Sequence, residues 1–279
     1  MKLAIITGAD GGMGTEITRA VAEAGYQVIM ACCNLQRAAE KRRMLMRETG
    51  NSAIELMRID LSSLASVADF AREIARRGQT VSLLMNNAGT LETGRNITED
   101  GLERTVSVNY VGPYLLTRLL LPRMERGSRV VSMVSCTYAM GRLDLPDFFH
   151  RGRRGGFWRI PVYANTKLAL TLFTIELARR VKERGIVVNC ADPGVVDTDI
   201  ITMHAWFDPL TDIFFRPFIR KPRKGAATAI HLLLDDAAGL RTGTLNVNGH
   251  VKFLSEKYTR HPKLLELWER TEAIVAPWL

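Results

Sequence analysis

Apolar and polar positions along this chain switch repeatedly between a period of two and a period of three to four. Leu3 to Thr7 is a short aliphatic and β-branched run; after a glycine-rich turn, Ile17, Val21 and Ala24 recur at helical spacing. That succession predicts strand, turn and helix. It repeats with a second strand from Tyr26 to Ala31, a helix from Asn34 to Glu48, and a third strand from Ala53 to Ile59 that ends in Asp60-Leu61. A serine-initiated helix follows from about Ser63 to Arg77, then a fourth strand from Thr80 to Met85 closed by Asn86-Asn87-Ala88-Gly89. Strands alternating with helices at roughly 25 to 30 residues per unit predict a parallel, doubly wound sheet, whose ligands sit at the carboxyl ends of the strands.

The second half continues the alternation less regularly. Leu102 to Met124 reads as a long helical stretch with Asn109 in its middle and Gly112-Pro113 as its interruption. Arg129 to Val134 is a fifth strand with Ser135 at its carboxyl end. Cys136 to Pro161 has little periodicity, is too long for an ordinary connection, and is expected to be an active-site loop. The helix carrying Tyr163 runs through Leu170, Phe173 and Leu177 to about Glu183, and Gly185 ends it. A sixth strand spans Ile186 to Ala191, Asp199 to Phe218 mixes aromatic and aliphatic residues, and Gly225 to Leu234 is an amphipathic helix. A seventh strand spans Leu245 to Asn248, and a terminal helix from Lys263 to Val275 buries Leu264, Trp268 and Val275. With no repeat, low-complexity tract or linker, the expectation is α/β class: one Rossmann-type domain over 1–279, about seven strands, helices on both faces.

Composition adds few constraints. The 279 residues, 47% hydrophobic and 24% charged, suit an ordinary globular protein. No apolar run reaches the roughly 18 to 20 residues of a membrane span, and none at the start suits a secretion signal, so a cytoplasmic location is expected. Cys32, Cys33, Cys136 and Cys190 lack Cys-x-x-Cys spacing and sit in apolar contexts, so they are expected to be buried small hydrophobes, with no metal role. The net charge of +9 is local: Arg142 to Arg159 carries a surplus of three and Arg216 to Lys224 a surplus of five. Both windows flank the expected pocket, and no nucleic-acid motif is present, so no nucleic-acid partner is expected.

Candidate chemistry centres on Tyr163-Ala-Asn-Thr-Lys167, which puts a phenol and an amine on one helical face. An ammonium so placed should lower the phenol's pKa from about 10 toward neutrality and make a general acid/base. Taken alone, such a pair is usually a surface pair. Gly8, Gly12 and Gly14, within Gly8-Ala9-Asp10-Gly11-Gly12-Met13-Gly14, form a T-G-x-x-x-G-x-G turn that lets backbone N–H groups approach a pyrophosphate.

Together, Thr7-Gly8…Gly12-x-Gly14, Asp60-Leu61, Asn86-Asn87-Ala88-Gly89, Asn109, Ser135, Tyr163-x-x-x-Lys167 and Pro193-Gly194 resemble the short-chain dehydrogenase/reductase family. Met140-Gly141-Arg142-Leu143, the 28-position gap from Ser135 to Tyr163, and Lys167-Leu168-Ala169 look most like the retinol dehydrogenase and protochlorophyllide reductase branch. Members of that branch often carry an N-terminal membrane anchor, and none is expected here. The resemblance implies hydride transfer between a nicotinamide and a carbonyl or alcohol carbon. Tyr163 would move the proton, Lys167 would assist it and hold the ribose, Ser135 would bind the substrate oxygen, and Asn109 would hold a water. Val196 and Thr198, after Pro193-Gly194, would grip the carboxamide, while Asp60, Leu61 and Asn87, Ala88 and Gly89 line the adenosine side. Pairing into a homo-oligomer through the helices near Asn109 and Tyr163 is implied as well.

At the end of the second strand, an acid would mark NAD. Cys32 stands there instead, followed by Cys33 and Asn34; Arg37 is the nearest cation, and Asp10 could repel a 2′-phosphate. NADP is expected, with NAD as the alternative. Segments 136–161 and 199–224 are expected to cover a bulky apolar, steroid-, retinoid- or lipid-like substrate. An alternative for Phe214-Phe215-Arg216-Pro217-Phe218 is peripheral membrane contact. A non-catalytic NAD(P)-binding sensor is a further alternative, although a broken catalytic set would be its sign and this set is complete.

Overall fold

The computed structural model describes residues 1–150, 159–194 and 221–279. Eight strands form one sheet in the order β3-β2-β1-β4-β5-β6-β7-β8: β1 (Leu3–Thr7), β2 (Gln27–Cys32), β3 (Ile54–Arg58), β4 (Val81–Asn86), β5 (Arg129–Met133), β6 (Val187–Asp192), β7 (Leu245–Val247) and β8 (His250–Lys252). The first seven are parallel, and the strand order reverses direction between β1 and β4. That reversal opens a crevice at the strands' carboxyl ends. The inner strands read as continuous apolar runs because both faces of the sheet are covered.

The alternation within β1 divides the two layers. Leu3 and Ile5 belong to a core shared with helices α3 (Leu64–Arg76), α4 (Gly112–Leu120), α5 (Arg159–Arg180) and α7 (Leu264–Val275). Ala4 and Ile6 point the other way, toward α1 (Gly12–Glu23), α2 (Leu35–Thr49) and α6 (Pro222–Leu234). The cap expected at Ser63 forms, with Oγ accepting from Ser66 N at 3.3 Å, and Asn34 caps α2 as well, with Oδ1 accepting from Arg37 N at 3.0 Å.

Three expectations need correction. The helical stretch from Leu102 is interrupted before Gly112-Pro113, by a π-helical turn at Ser107–Val111 that contains Asn109. Pro113 sits in the first turn of α4, where its missing N–H costs nothing, and a Cβ on Gly112 would lie 2.6 Å from the Leu61 carbonyl oxygen. The eighth strand was overlooked. It pairs antiparallel with β7 through Val247↔His250 across Asn248-Gly249, both with positive φ (55° and 76°), the two-residue hairpin that Asn-Gly favours.

The third correction concerns the loop expected at 136–161. Its first part is a 3₁₀ turn (Cys136–Met140) and a short helix (Leu145–Phe148), and Tyr138, Leu143, Leu145, Phe148 and Phe149 are buried in the main core. Phe148 and Phe149 lie 5.8 and 6.5 Å from the Tyr110 ring, so these aromatics are packing and not substrate cover. Arg151, Arg153 and Arg154, Val196, Thr198, and the aromatic run from Trp206 to Phe218 lie outside the described residues. Among the described residues, no helix is long and apolar enough to cross a membrane.

Helix α7 lies over α4 and α5. Trp268 stacks on Phe173 (5.8 Å, 24°), meets Tyr114 edge-on at 5.1 Å, and is flanked by the guanidinium groups of Arg180 at 4.2 Å and Arg118 at 5.7 Å. Glu272 ties the layer together, pairing with Arg118 and accepting from the Tyr114 hydroxyl. In α5, Val162 and every residue from Ala164 to Ala178 are buried, and the terminal helix covers part of it, where Trp268 stacks on Phe173.

Candidate active site

The carboxyl ends of β1, β2, β3 and β4 converge on a cavity of about 520 Å³. Gly8, Asp10, Gly11, Gly12, Met13 and Gly14 line it from the turn into α1; Cys33, Asn34 and Arg37 from the end of β2; Asp60 and Leu61 from the end of β3; and Asn87, Ala88 and Gly89 from the end of β4. All the cofactor residues expected from the first four strands are therefore in one place.

The sequence of the turn explains its shape. A Cβ at position 14 would fall 2.1 Å from the Gly8 carbonyl oxygen, so only glycine lets the chain double back there; Gly8 itself has φ +60°. Asn87 clamps the turn from β4: its Nδ2 donates to the Thr7 and Gly8 carbonyls at 2.9 and 3.1 Å, while the Thr7 hydroxyl accepts from the backbone N–H of Asn87 and Ala88. Asn87 Oδ1 is buried with no hydrogen-bond partner among the described residues, an acceptor left for a donor on a ligand. A glycine cradle at a helix N-terminus, with an unsatisfied amide oxygen beside it, fits a dinucleotide's pyrophosphate and base.

Burial raises the pKa of Asp60, but the hydroxyl and N–H of Ser62, at 2.6 and 2.9 Å, more than offset this and hold it below the usual carboxylate range. Pro222, at the start of α6, packs against Gly12, where a Cβ would lie 3.1 Å from Cγ. The exposed cations Lys221, Arg223 and Lys224 therefore flank the glycine turn, so part of the basic window expected at the substrate mouth stands beside the cofactor side instead.

The proposed catalytic set adjoins this cavity. Lys167, buried in α5, donates from Nζ to the Met133 carbonyl at 2.9 Å, and that nitrogen lies 5.4 Å from the centroid of the Tyr163 ring. A Cβ on Gly89 would lie 3.7 Å from the same nitrogen, so lysine and cofactor turn are neighbours. Ser135, at the end of β5, lies near enough to the Tyr163 hydroxyl to lower its pKa, and its own Oγ accepts from Thr137 N at 3.4 Å. Asn109 engages both ends of its amide: Oδ1 accepts from Thr90 N at 2.7 Å, and Nδ2 donates to Thr90 O at 2.9 Å and Thr166 Oγ1 at 3.2 Å. Its side chain ties the β4 exit loop to α5, and the second lone pair of Oδ1 stays available to a donor. Pro193 and Gly194 follow β6 as expected, with Gly194 at φ +72°.

The expected fall in the pKa of Tyr163 does not occur. Desolvation is the leading effect and pushes the phenol up to about 12, with Ser135 lowering it and Asp192 raising it. Lys167 moves the opposite way, down to about 8, because its ammonium is fully enclosed, with Asp192 opposing the shift. Burial outweighs the attraction on which the expectation rested. Asp192 was not singled out from sequence. It is a buried acid at the carboxyl end of β6, and its Oδ1 accepts from Gly194 N at 2.9 Å. The signal was its strand-end position. A further correction concerns the cysteines: Cys32 and Cys190 are buried as expected, but Cys33 and Cys136 are exposed because both lie just past strand ends.

Residues 8–249 match the family described as enoyl-(acyl carrier protein) reductase. Polyprenol dehydrogenase of Mus musculus is 38% identical over 239 residues, 82% of this chain and 70% of that one. Retinol dehydrogenase 11 of Homo sapiens is 30% identical over 271 residues, 96% and 84% of the two chains. Among solved structures, an uncharacterized protein from Mycobacterium Paratuberculosis superposes with a TM-score of 0.79 at 26% identity, covering 98% of this chain and 93% of that one. A blue fluorescent protein from a metagenomic library, in complex with NADPH, gives a TM-score of 0.69 at 25% identity, with 88% and 95% covered.

Proposed function

The chain belongs to the short-chain dehydrogenase/reductase family, and from that premise we propose an NADP(H)-linked enzyme that interconverts a carbonyl and an alcohol on a bulky apolar substrate, with Tyr163 as general acid/base. Family membership makes it an NAD(P)-dependent oxidoreductase. The observation that carries the finer reading is the placing of Tyr163 near both Ser135 and Lys167, beside a glycine-cradled cavity.

A bound nicotinamide supplies or takes up the hydride; the protein's own groups manage the proton and the charge. Tyr163, its pKa about 12, holds its proton at neutral pH and gives it to the developing alkoxide. Ser135 donates a hydrogen bond to the same oxygen as its charge grows. Lys167, fixed by the Met133 carbonyl, keeps an ammonium near the phenol and against the cofactor side of the site. Asn109 fixes the loop at Gly89 and Thr90 that separates the cavity from Lys167.

Support for NADP is the lack of an acid at the end of β2, where Cys32 and Cys33 stand, together with the structural neighbour bound to NADPH. The names of the relatives, a polyprenol and a retinol dehydrogenase, support a long apolar substrate with a terminal carbonyl or hydroxyl. We place the enzyme in the cytoplasm, a reducing compartment suited to its four free cysteines. The test is a screen of retinoid, polyprenoid and steroid carbonyls, following nicotinamide absorbance with NADPH and with NADH, for the unaltered protein and Tyr163→Phe. Turnover that survives in the variant would overturn the assigned role, and turnover confined to small polar carbonyls would overturn the substrate class.

A further inference from the structure

Strand β5 ends at Met133, and Val134 still bonds to β6, its N–H donating to the Ala191 carbonyl at 2.9 Å. Ser135 is the first residue beyond that support. Its side chain and its carbonyl both close the 3₁₀ turn Cys136–Met140: Oγ accepts from Thr137 N at 3.4 Å, and the carbonyl accepts from Tyr138 N at 2.9 Å. Gly141 N then donates to the Tyr138 carbonyl at 3.1 Å, so the path from Ser135 to Gly141 is a succession of tight hydrogen-bonded rings with little slack. Where the far end of that turn is held therefore decides where Ser135 stands.

It is held on α5, at residues that adjoin Tyr163 and Lys167. A Cβ on Gly141 would lie 2.6 Å from Leu168 Cβ and 2.8 Å from the Ala164 carbonyl oxygen. Gly141 has φ −61° and ψ 141°, a conformation any residue adopts, so glycine is required there for space and not for backbone freedom. Next along the chain, Arg142 N donates to Oδ1 of the buried Asn165 at 2.7 Å. Ala164 and Asn165 directly follow Tyr163, and Leu168 directly follows Lys167. A second element holds the middle of the turn: Tyr138, 3% exposed, meets Tyr258 edge-on at 5.1 Å, and Lys252 Nζ lies 5.7 Å from the centroid of its ring. With its middle and its end both fixed, the turn brings Ser135 near enough to the Tyr163 hydroxyl to lower that phenol's pKa.

We propose that Gly141 and Asn165 are positioning residues of the reaction: by seating the turn after β5 on α5, they fix how far Ser135 stands from the Tyr163 hydroxyl. Both act through Ser135 and not on the substrate. Gly141 sets the approach by having no side chain, and Asn165 sets the register by offering an acceptor to one backbone N–H. Placement matters steeply at such a site, where a displacement of about 1 Å costs on the order of 10²-fold in rate. The proposal rests on the reading of Tyr163 and Ser135 as the groups that handle the proton and the developing charge.

Gly141→Ala and Asn165→Ala, each made in the unaltered chain and in Ser135→Ala, test it with NADPH and the best carbonyl from the retinoid, polyprenoid and steroid screen. In the unaltered background either substitution should lower kcat by about 10- to 100-fold, while KM and the NADPH dissociation constant change by less than about threefold. In the Ser135→Ala background the same substitution should change kcat by less than about twofold, since the residue being placed is gone. Asn165→Ala removes an acceptor and adds no bulk, so it carries the test should Gly141→Ala give no cooperative thermal melt. Crystal structures of the variants supply a second readout, in which the separation of Ser135 Oγ from the Tyr163 hydroxyl should grow. Equal losses of kcat in both backgrounds, an unchanged kcat, or an unchanged separation would overturn the proposal while leaving Tyr163 its role. Turnover that survives in Tyr163→Phe, or none from the unaltered protein, would overturn the underlying reading as well.

Discussion

Tyr163 and Lys167 illustrate how a spacing acquires chemistry. Four residues apart on α5, they share a face, but the chain also buries that face, and desolvation lifts the phenol to about 12 while it lowers the amine to about 8. A phenol that keeps its proton at neutral pH favours carbonyl reduction, and alcohol oxidation should accelerate as pH rises toward that value. Tyr163→Phe should cut kcat by about 10² to 10⁴-fold with little change in melting temperature, read by steady-state kinetics and calorimetry. Asp192 faces both groups, and its negative charge raises both pKa values; Cys136 also faces Tyr163 and Cys190 faces Lys167. Asp192→Asn keeps an acceptor for Gly194 N but removes the charge, so the rising limb of the kcat/KM profile for alcohol oxidation should move to lower pH. A profile that stays put, or moves up, would show that Asp192 acts only through the turn.

Among the elements, the turn into α1 and the terminal helix α7 carry the clearest consequences. Gly14→Ala would put a methyl group 2.1 Å from a backbone oxygen that no side-chain motion can relieve, so NADPH binding should fall below detection by fluorescence titration. The sequence shows this turn plainly, because glycine at positions 8, 12 and 14 is a local requirement. By contrast, the π turn around Asn109 is not legible, since no residue type in Ser107 to Val111 marks where the one extra residue of an i→i+5 turn is inserted. Phe148 and Phe149 lie in the segment expected to cover substrate, and an irregular segment has no period to say which side is inward; the presence of Tyr110 beside them settles it. In α7, Trp268→Ala should cost about 3 to 5 kcal/mol by chemical denaturation, since the indole fills the space between Phe173, Tyr114 and two guanidinium groups.

At the scale of the molecule, α7 packs on α4 and α5 through Trp268, against Tyr114 and Phe173. Sedimentation of the intact chain should therefore find no dimer held through that face, whereas truncation after Lys263 should expose Tyr114 and Phe173 and drive self-association. The net charge of +9, part of it at Lys221, Arg223 and Lys224 beside the glycine turn, should make association with the anionic cofactor faster at low salt than at high. By itself the sequence determined the alternation of strands and helices, the parallel sheet, the cap at Ser63, and the residues that meet at the strand ends. All of these follow from local periodicity or from a backbone demand at a single position. Tertiary structure alone decided the ionisation of Tyr163 and Lys167, the seating of Gly141 on α5, the place of Asp192 and the covering of α5 by α7. Each of these depends on what lies across the fold, and burial and charge act through space between residues that the order of the chain keeps far apart.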